Sequence, residues 1–182
     1  MGGSSFTVSM LRLKRRYGAP PNFCHDLKFP GRKLCYSWAS CGKVLSHPTD
    51  EATIDWSVAQ LRSFLRNVTK NLGLKRLHII AHSMGNRALP QFWRTGRPHL
   101  APHQSNRSRC PDIDGGRFMQ IAQVFGRYEQ VTLYASRDDR AIQLSRTIKA
   151  LPRAGDANPP LVMPDLSTVD VTAVAGELFG LG

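Results

Sequence analysis

The sequence predicts an α/β domain: a mostly parallel sheet with flanking helices. Three observations carry that reading. In residues 49–72, Ile54, Val58, Leu61, Leu65, Val68 and Leu72 recur at alternating steps of four and three, which builds one apolar helix face. After Gly73, the apolar run of Leu77, Ile79 and Ile80 has the β-branched character of a buried strand. It ends in Ala81-His82-Ser83-Met84-Gly85, and a helix-like segment, Asn86-Arg87-Ala88-Leu89, follows. Farther on, Gln130-Val131-Thr132-Leu133-Tyr134-Ala135-Ser136 is a strand, trailed by Arg137-Asp138-Asp139-Arg140 and a helical stretch. Helix, strand, turn and helix in alternation is the rhythm of βαβ units.

In chain order, residues 1–22 are basic and poorly patterned, with a short helix over 6–16 stopped by Pro20-Pro21. Residues 26–31 read as an element end and a turn, 33–38 as a strand, and 42–48 as a loop. Thr49 caps the long helix, Asp50 and Glu51 suit its positive end, and Gly73 closes it. Pro90 falls inside the helix that should follow Ser83, where a proline costs about 3 kcal/mol. Residues 90–110 are rich in Arg, Pro, His and Ser and keep no period, so an irregular loop is expected, either functional or disordered. Order resumes at Pro111-Asp112-Ile113-Asp114. Phe118, Ile121, Ala122 and Phe125 suggest a helix. Residues 141–150 form another, 152–164 a loop, and 167–172 alternate as a strand. No internal repeat is visible. The expectation is a single partial domain over 1–182, irregular at 1–22 and 90–110.

The chain of 182 residues is long enough for a sizeable core, and its formal charge of +12 is high for a domain of this size. Such a charge attracts nucleic acid or anionic surfaces without specifying a site. No dense Lys/Arg run with interleaved aromatics supports that partner, and a solvated basic surface accounts for it. Cys24, Cys35, Cys41 and Cys110 form no C-x-x-C and no zinc spacing, so no metal or cofactor is expected and reduced thiols in the cytoplasm are the default. No apolar stretch reaches a membrane span or a signal-peptide core. Oligomeric state is not written in the pattern.

Ser83 carries the chemistry. A serine between a strand and a helix in a small-x-Ser-x-Gly turn fits the nucleophile elbow, which holds the hydroxyl out at the carboxyl edge of a sheet. Ala81 stands where the first Gly is usual. The backbone N–H of Met84 is then one oxyanion donor. The competing role for Ser83 is a helix cap. His82 and His78 read as packing or hydrogen-bonding side chains rather than bases. Asp138 and Asp139 lie past a strand's carboxyl end, after the serine, where the order Ser…Asp…His places the acid, with helix capping as the alternative for either. The six His are 25, 47, 78, 82, 99 and 103, and none follows Asp139.

Tyr36-Ser37-Trp38, Asp50-Glu51-Ala52, the run from His78 to Leu89, Pro111-Asp112-Ile113-Asp114 and the run from Leu133 to Ala141 together resemble a bacterial family of α/β hydrolases, esterase/lipase-like and of unknown function. The resemblance covers most of 23–89 and 111–172. It implies an α/β-hydrolase-like sheet, Ser83 as nucleophile, Asp139 as acid, and a small-molecule ester substrate. The family has a strand ending in His-Gly before the region of Phe6, a strand between the nucleophile helix and Pro111, and a later Gly-His-Ser segment that supplies the His. None of the three is recognisable here. A truncated product with its middle read out of frame is the expectation, and impaired acyl transfer follows. A non-catalytic, degenerate hydrolase fold serving as a basic binding or scaffold protein is the alternative.

Overall fold

The computed structural model describes residues 5–12, 32–38, 47–72, 76–89, 103–109, 111–126 and 131–174. Among them, six strands form one sheet: β1 (Ser5–Arg12), β2 (Arg32–Trp38), β3 (Arg76–His82), β4 (His103–Arg109), β5 (Val131–Ala135) and β6 (Leu166–Asp170). Their spatial order is β2-β1-β3-β4-β5-β6, and every neighbouring pair is parallel. Parallel neighbours need crossover connections, and among the described residues three helices lie in them. Helix α1 (His47–Leu72) lies between β2 and β3, α2 (Gly115–Gly126) between β4 and β5, and α3 (Arg140–Lys149) between β5 and β6. From β1 the chain winds outward to β2, then returns and winds the other way from β3 to β6. The winding therefore reverses between β1 and β3, and the crevice beyond the carboxyl ends of such a pair is where open α/β sheets hold ligands.

Strand β3 is central in both senses. It pairs with β1 on one edge and β4 on the other. Leu77, Ile79, Ile80 and Ala81 are all buried. Consecutive burial of Ile79, Ile80 and Ala81 means that both faces are covered, as in parallel sheets generally. Ile54, Leu61 and Leu65 of α1 are fully buried in one cluster with Leu77, Ile79, Phe118, Ile121, Val131 and Leu133. This is the face that the four-and-three spacing predicts for α1, while Trp56 on its opposite side is 79% exposed. The end of β2 is tied to the same helix: the Tyr36 hydroxyl donates to the Ser57 carbonyl at 3.2 Å, and its ring lies 5.2 Å from that of Phe64. Burial pushes the Tyr36 phenol above its ordinary range, and a hydrogen bond with the Ser57 side chain pulls the other way.

Two segments read as non-strand are strands. Residues 6–16 were expected to hold a helix, but Ser5–Arg12 is β1. The signal is in the sequence: Phe6, Val8 and Met10 alternate with Ser5, Thr7 and Ser9, a period of two. Residues 90–110 were expected to be irregular throughout, yet His103–Arg109 is β4, paired along both edges. Its sequence, HQSNRSR, has no aliphatic residue. Without a strand in that slot, the facing edges of β3 and β5 would each present a row of unpaired N–H and C=O groups, and backbone pairing does not depend on side-chain type. Both edges of β3 are thus paired.

Smaller differences concern element ends. Helix α1 begins at His47 rather than after a Thr49 cap, with Pro48 in the first turn, where its missing N–H costs nothing. Strand β6 stops at Asp170 instead of continuing to Thr172, because the Asp170 side chain accepts from the Thr172 backbone N–H and folds the chain into a 3-10 turn, Thr172–Val174. The turn read at 26–31, the loop at 42–46, the Pro90 break and the tail from 175 lie outside the described residues.

No helix among the described residues is long and apolar enough to cross a membrane. Because Leu61 is wholly buried against the sheet, Leu61→Ala should lower stability by about 2–5 kcal/mol, measured as a shift in the urea midpoint at unchanged slope.

Candidate active site

At the carboxyl end of β3 the chain turns sharply. Ser83 has φ 49°, in the left-handed region that non-glycine residues rarely occupy. His82 before it is still extended, at φ −117° and ψ 137°, and the 3-10 turn Ser83–Arg87 begins at once. The turn is fixed from within by Asn86, which is 3% exposed: its Nδ2 donates to the Ser83 carbonyl at 2.9 Å and to the Ala81 carbonyl at 3.3 Å. Met84, Gly85 and Asn86 are buried, and Ser83 itself is half-buried at the rim. His82 makes no side-chain cap to the turn.

A second segment closes against this turn. Pro111-Asp112-Ile113-Asp114 follows β4, and the Asp112 N–H donates to the Ser83 carbonyl at 3.3 Å. In return, Arg87 Nε donates to the Asp112 carbonyl at 3.1 Å. The Asp112 side chain points elsewhere. Its Oδ1 accepts from Ser145 Oγ at 2.6 Å and from Arg153 Nε at 2.9 Å. Arg153 Nη2 is 2.8 Å from the same oxygen, close enough for an ion pair although not aligned as a hydrogen bond. Asp112, Ser145 and Arg153 are 3%, 1% and 4% exposed, so the pair sits in the interior.

Asp139 stands past the carboxyl end of β5, with β4 between it and β3. It is 8% exposed and is the N-cap of α3, its Oδ1 accepting from the N–H groups of Ala141 at 2.9 Å and Ile142 at 3.0 Å. The capping alternative read from the sequence is therefore present in the structure for Asp139. Asp138 is exposed, and its backbone N–H donates to Ser136 Oγ at 3.3 Å. Among the described residues, no hydrogen bond joins Ser83 to Asp139. The ends of β5 and β6 are also linked: the Arg137 N–H donates to Thr172 Oγ1 at 2.9 Å, and that hydroxyl donates to Asp170 Oδ1. Hydrogen bonds from the Thr172 hydroxyl and then its N–H, helped slightly by Arg137, hold the Asp170 carboxyl below the usual carboxylate range. Among the described residues, no group of three or more His, Cys, Asp or Glu could hold a metal ion.

Sequence reasoning singled out the Pro111–Asp114 motif by resemblance but assigned Asp112 no role, and it passed over Ser145 and Arg153. Arg153 lies in a Pro-flanked stretch with no periodic signal. Asn86 was within reach, as a polar residue inside a small-residue turn that must satisfy its own carbonyls.

A parallel sheet whose winding reverses beside β3, crossed over by helices, with a left-handed Ser ending the strand at that reversal, is the architecture of an α/β hydrolase. The chain belongs to the family DUF900, described as an alpha/beta hydrolase of unknown function, whose model matches residues 19–163. No curated protein matches the chain. No solved structure matches it either.

Two substitutions test this geometry. Ser83→Gly removes a left-handed strain of about 1–2 kcal/mol and adds unfolded-state entropy of about 0.5–1 kcal/mol. It should therefore stabilise the chain slightly, by up to about 1 kcal/mol in urea unfolding. Asp139→Ala should cost about 0.5–2 kcal/mol through the lost cap, whereas Asp139→Asn, an equally good cap, should keep most of that stability in the same assay.

Proposed function

We propose that Ser83 is the nucleophile of an acyl-transfer reaction on a small-molecule ester. The observation that carries this reading is the left-handed backbone of Ser83 at the end of the central strand, beside the winding reversal. Strain of that kind is retained where it serves a site. In this reading the turn is a nucleophile elbow: the hydroxyl attacks the ester carbonyl, and the Met84 N–H, which follows it, donates to the oxyanion. Asp139 is the acid of the set. Two strand spacings, about 10 Å, separate the ends of β3 and β5, a gap suited to an intervening imidazole. The cap that Asp139 makes with Oδ1 would also orient its carboxylate. The base of such a set would be a histidine, and none of the six in residues 1–182 follows Asp139. We read the chain as an esterase-like hydrolase, in a cytoplasmic setting that suits its unpatterned cysteines.

A fluorophosphonate probe followed by peptide mapping tests the proposal. Labelling at Ser83, abolished in Ser83→Ala and reduced in Asp139→Asn, is the expected outcome. An unlabelled Ser83, or labelling only at other serines, would end it.

A further inference from the structure

We propose that the buried Asp112–Arg153 pair is a positioning unit for the Ser83 turn. Its effect on reactivity rests on the hydrolase reading above; its effect on the backbone does not. Asp112 is bifunctional. Its main chain clasps the turn from both sides, with the N–H on the Ser83 carbonyl and the carbonyl on Arg87 Nε. Its side chain is anchored in the opposite direction, on Arg153 Nε and Ser145 Oγ. Where the carboxylate is anchored therefore decides where the clasping N–H points.

Arg153 is itself held against the same segment. The Gly115 N–H donates to the Pro152 carbonyl at 2.9 Å, the Ala154 N–H to the Ile113 carbonyl at 3.0 Å, and the Gly155 N–H to the Pro111 carbonyl at 3.0 Å. Asp114 and Arg153 form an antiparallel bridge. Farther out, the Gly155 carbonyl accepts from the Ser136 N–H at 3.0 Å, and Asp156 Oδ2 pairs with Arg146 Nη1 at 2.7 Å. Through Ser145 and Arg146 on α3, and Ser136 after β5, the pair links the ends of β3, β4 and β5, the three strands across which the proposed nucleophile and acid lie. Stability alone does not explain such a pair, because apolar residues of similar volume in a buried site are commonly as stable or more so. What an ion pair with directed donors adds is orientation.

Arg153→Met, Arg153→Lys, Ser145→Ala and the double variant Asp112→Leu/Arg153→Met separate orientation from stability. Two readouts are taken on the full chain: the hydrogen-exchange protection factor of the residue-112 amide relative to those of Ile79 and Leu133, and the rate of phosphonate labelling at Ser83. In the double variant we expect Ile79 and Leu133 to stay protected, while the residue-112 amide loses at least tenfold and labelling slows at least tenfold. Arg153→Lys should recover part of what Arg153→Met loses. Wild-type protection at residue 112 in the double variant overturns the proposal. Lost protection with unchanged labelling overturns its functional half. Should the double variant unfold, Ser145→Ala and Arg153→Lys decide: a fall confined to residue 112 supports the proposal, and a uniform fall over all three amides overturns it. A wild-type chain that does not label at Ser83 counts against the hydrolase reading and against any effect of the pair on reactivity, and the exchange data still judge the positioning.

Discussion

Complete backbone pairing along both edges of β3 is the constraint on which the rest of this structure depends. A parallel strand buried on both faces has no water to satisfy its N–H and C=O groups, so it requires a neighbour on each side. β1 and β4 meet that requirement from segments with little in common, one alternating and one wholly polar. Once β3 is held, its carboxyl end lies at the reversal of winding and Ser83 stands at the rim. Leu77, Ile79 and Ala81 lie on one face of β3 and share one core cluster with the apolar stripe of α1 and with Phe118 and Ile121 of α2.

The polar interactions at the carboxyl edge follow a consistent logic. Four of the described turns rest on a short side chain that accepts from or donates to the main chain nearby: Asn86 within the Ser83 turn, Asp114 on the Arg117 N–H at the start of α2, Asp139 at α3, and Asp170 at the end of β6. These local bonds shape each loop separately. The buried Asp112–Arg153 pair differs in kind, since it joins loops that are far apart in sequence. A buried charge without its partner is costly, so neither side chain can leave the other without the segment reorganising. That mutual dependence gives the Pro111–Asp114 segment a defined seat against the Ser83 turn.

Asp139 shows how one residue can satisfy a structural and a chemical reading together. A cap needs one carboxylate oxygen on two N–H groups, and Asp139 uses Oδ1 for both. An acid of a hydrolytic set needs a carboxylate fixed in direction beyond a strand end, and a cap provides that fixation. The two readings that compete in the sequence are therefore compatible in space.

Local patterns in the sequence determined a good deal. The four-and-three spacing of α1, the β-branched runs of β3 and β5, and the small residues around Ser83 are each visible within a dozen residues, because helix faces, buried strands and tight turns impose their requirements over that range. The period of two in β1 was present as well, and was obscured by the basic cluster after it. What only the tertiary structure decided is β4 and the Asp112–Arg153 pair. The strand takes its form from the backbone edges of β3 and β5, which hydrogen-bond any side-chain sequence that can extend between them. The pair joins residues 41 positions apart, and no local period can announce a contact made by folding two loops onto the same end of a sheet.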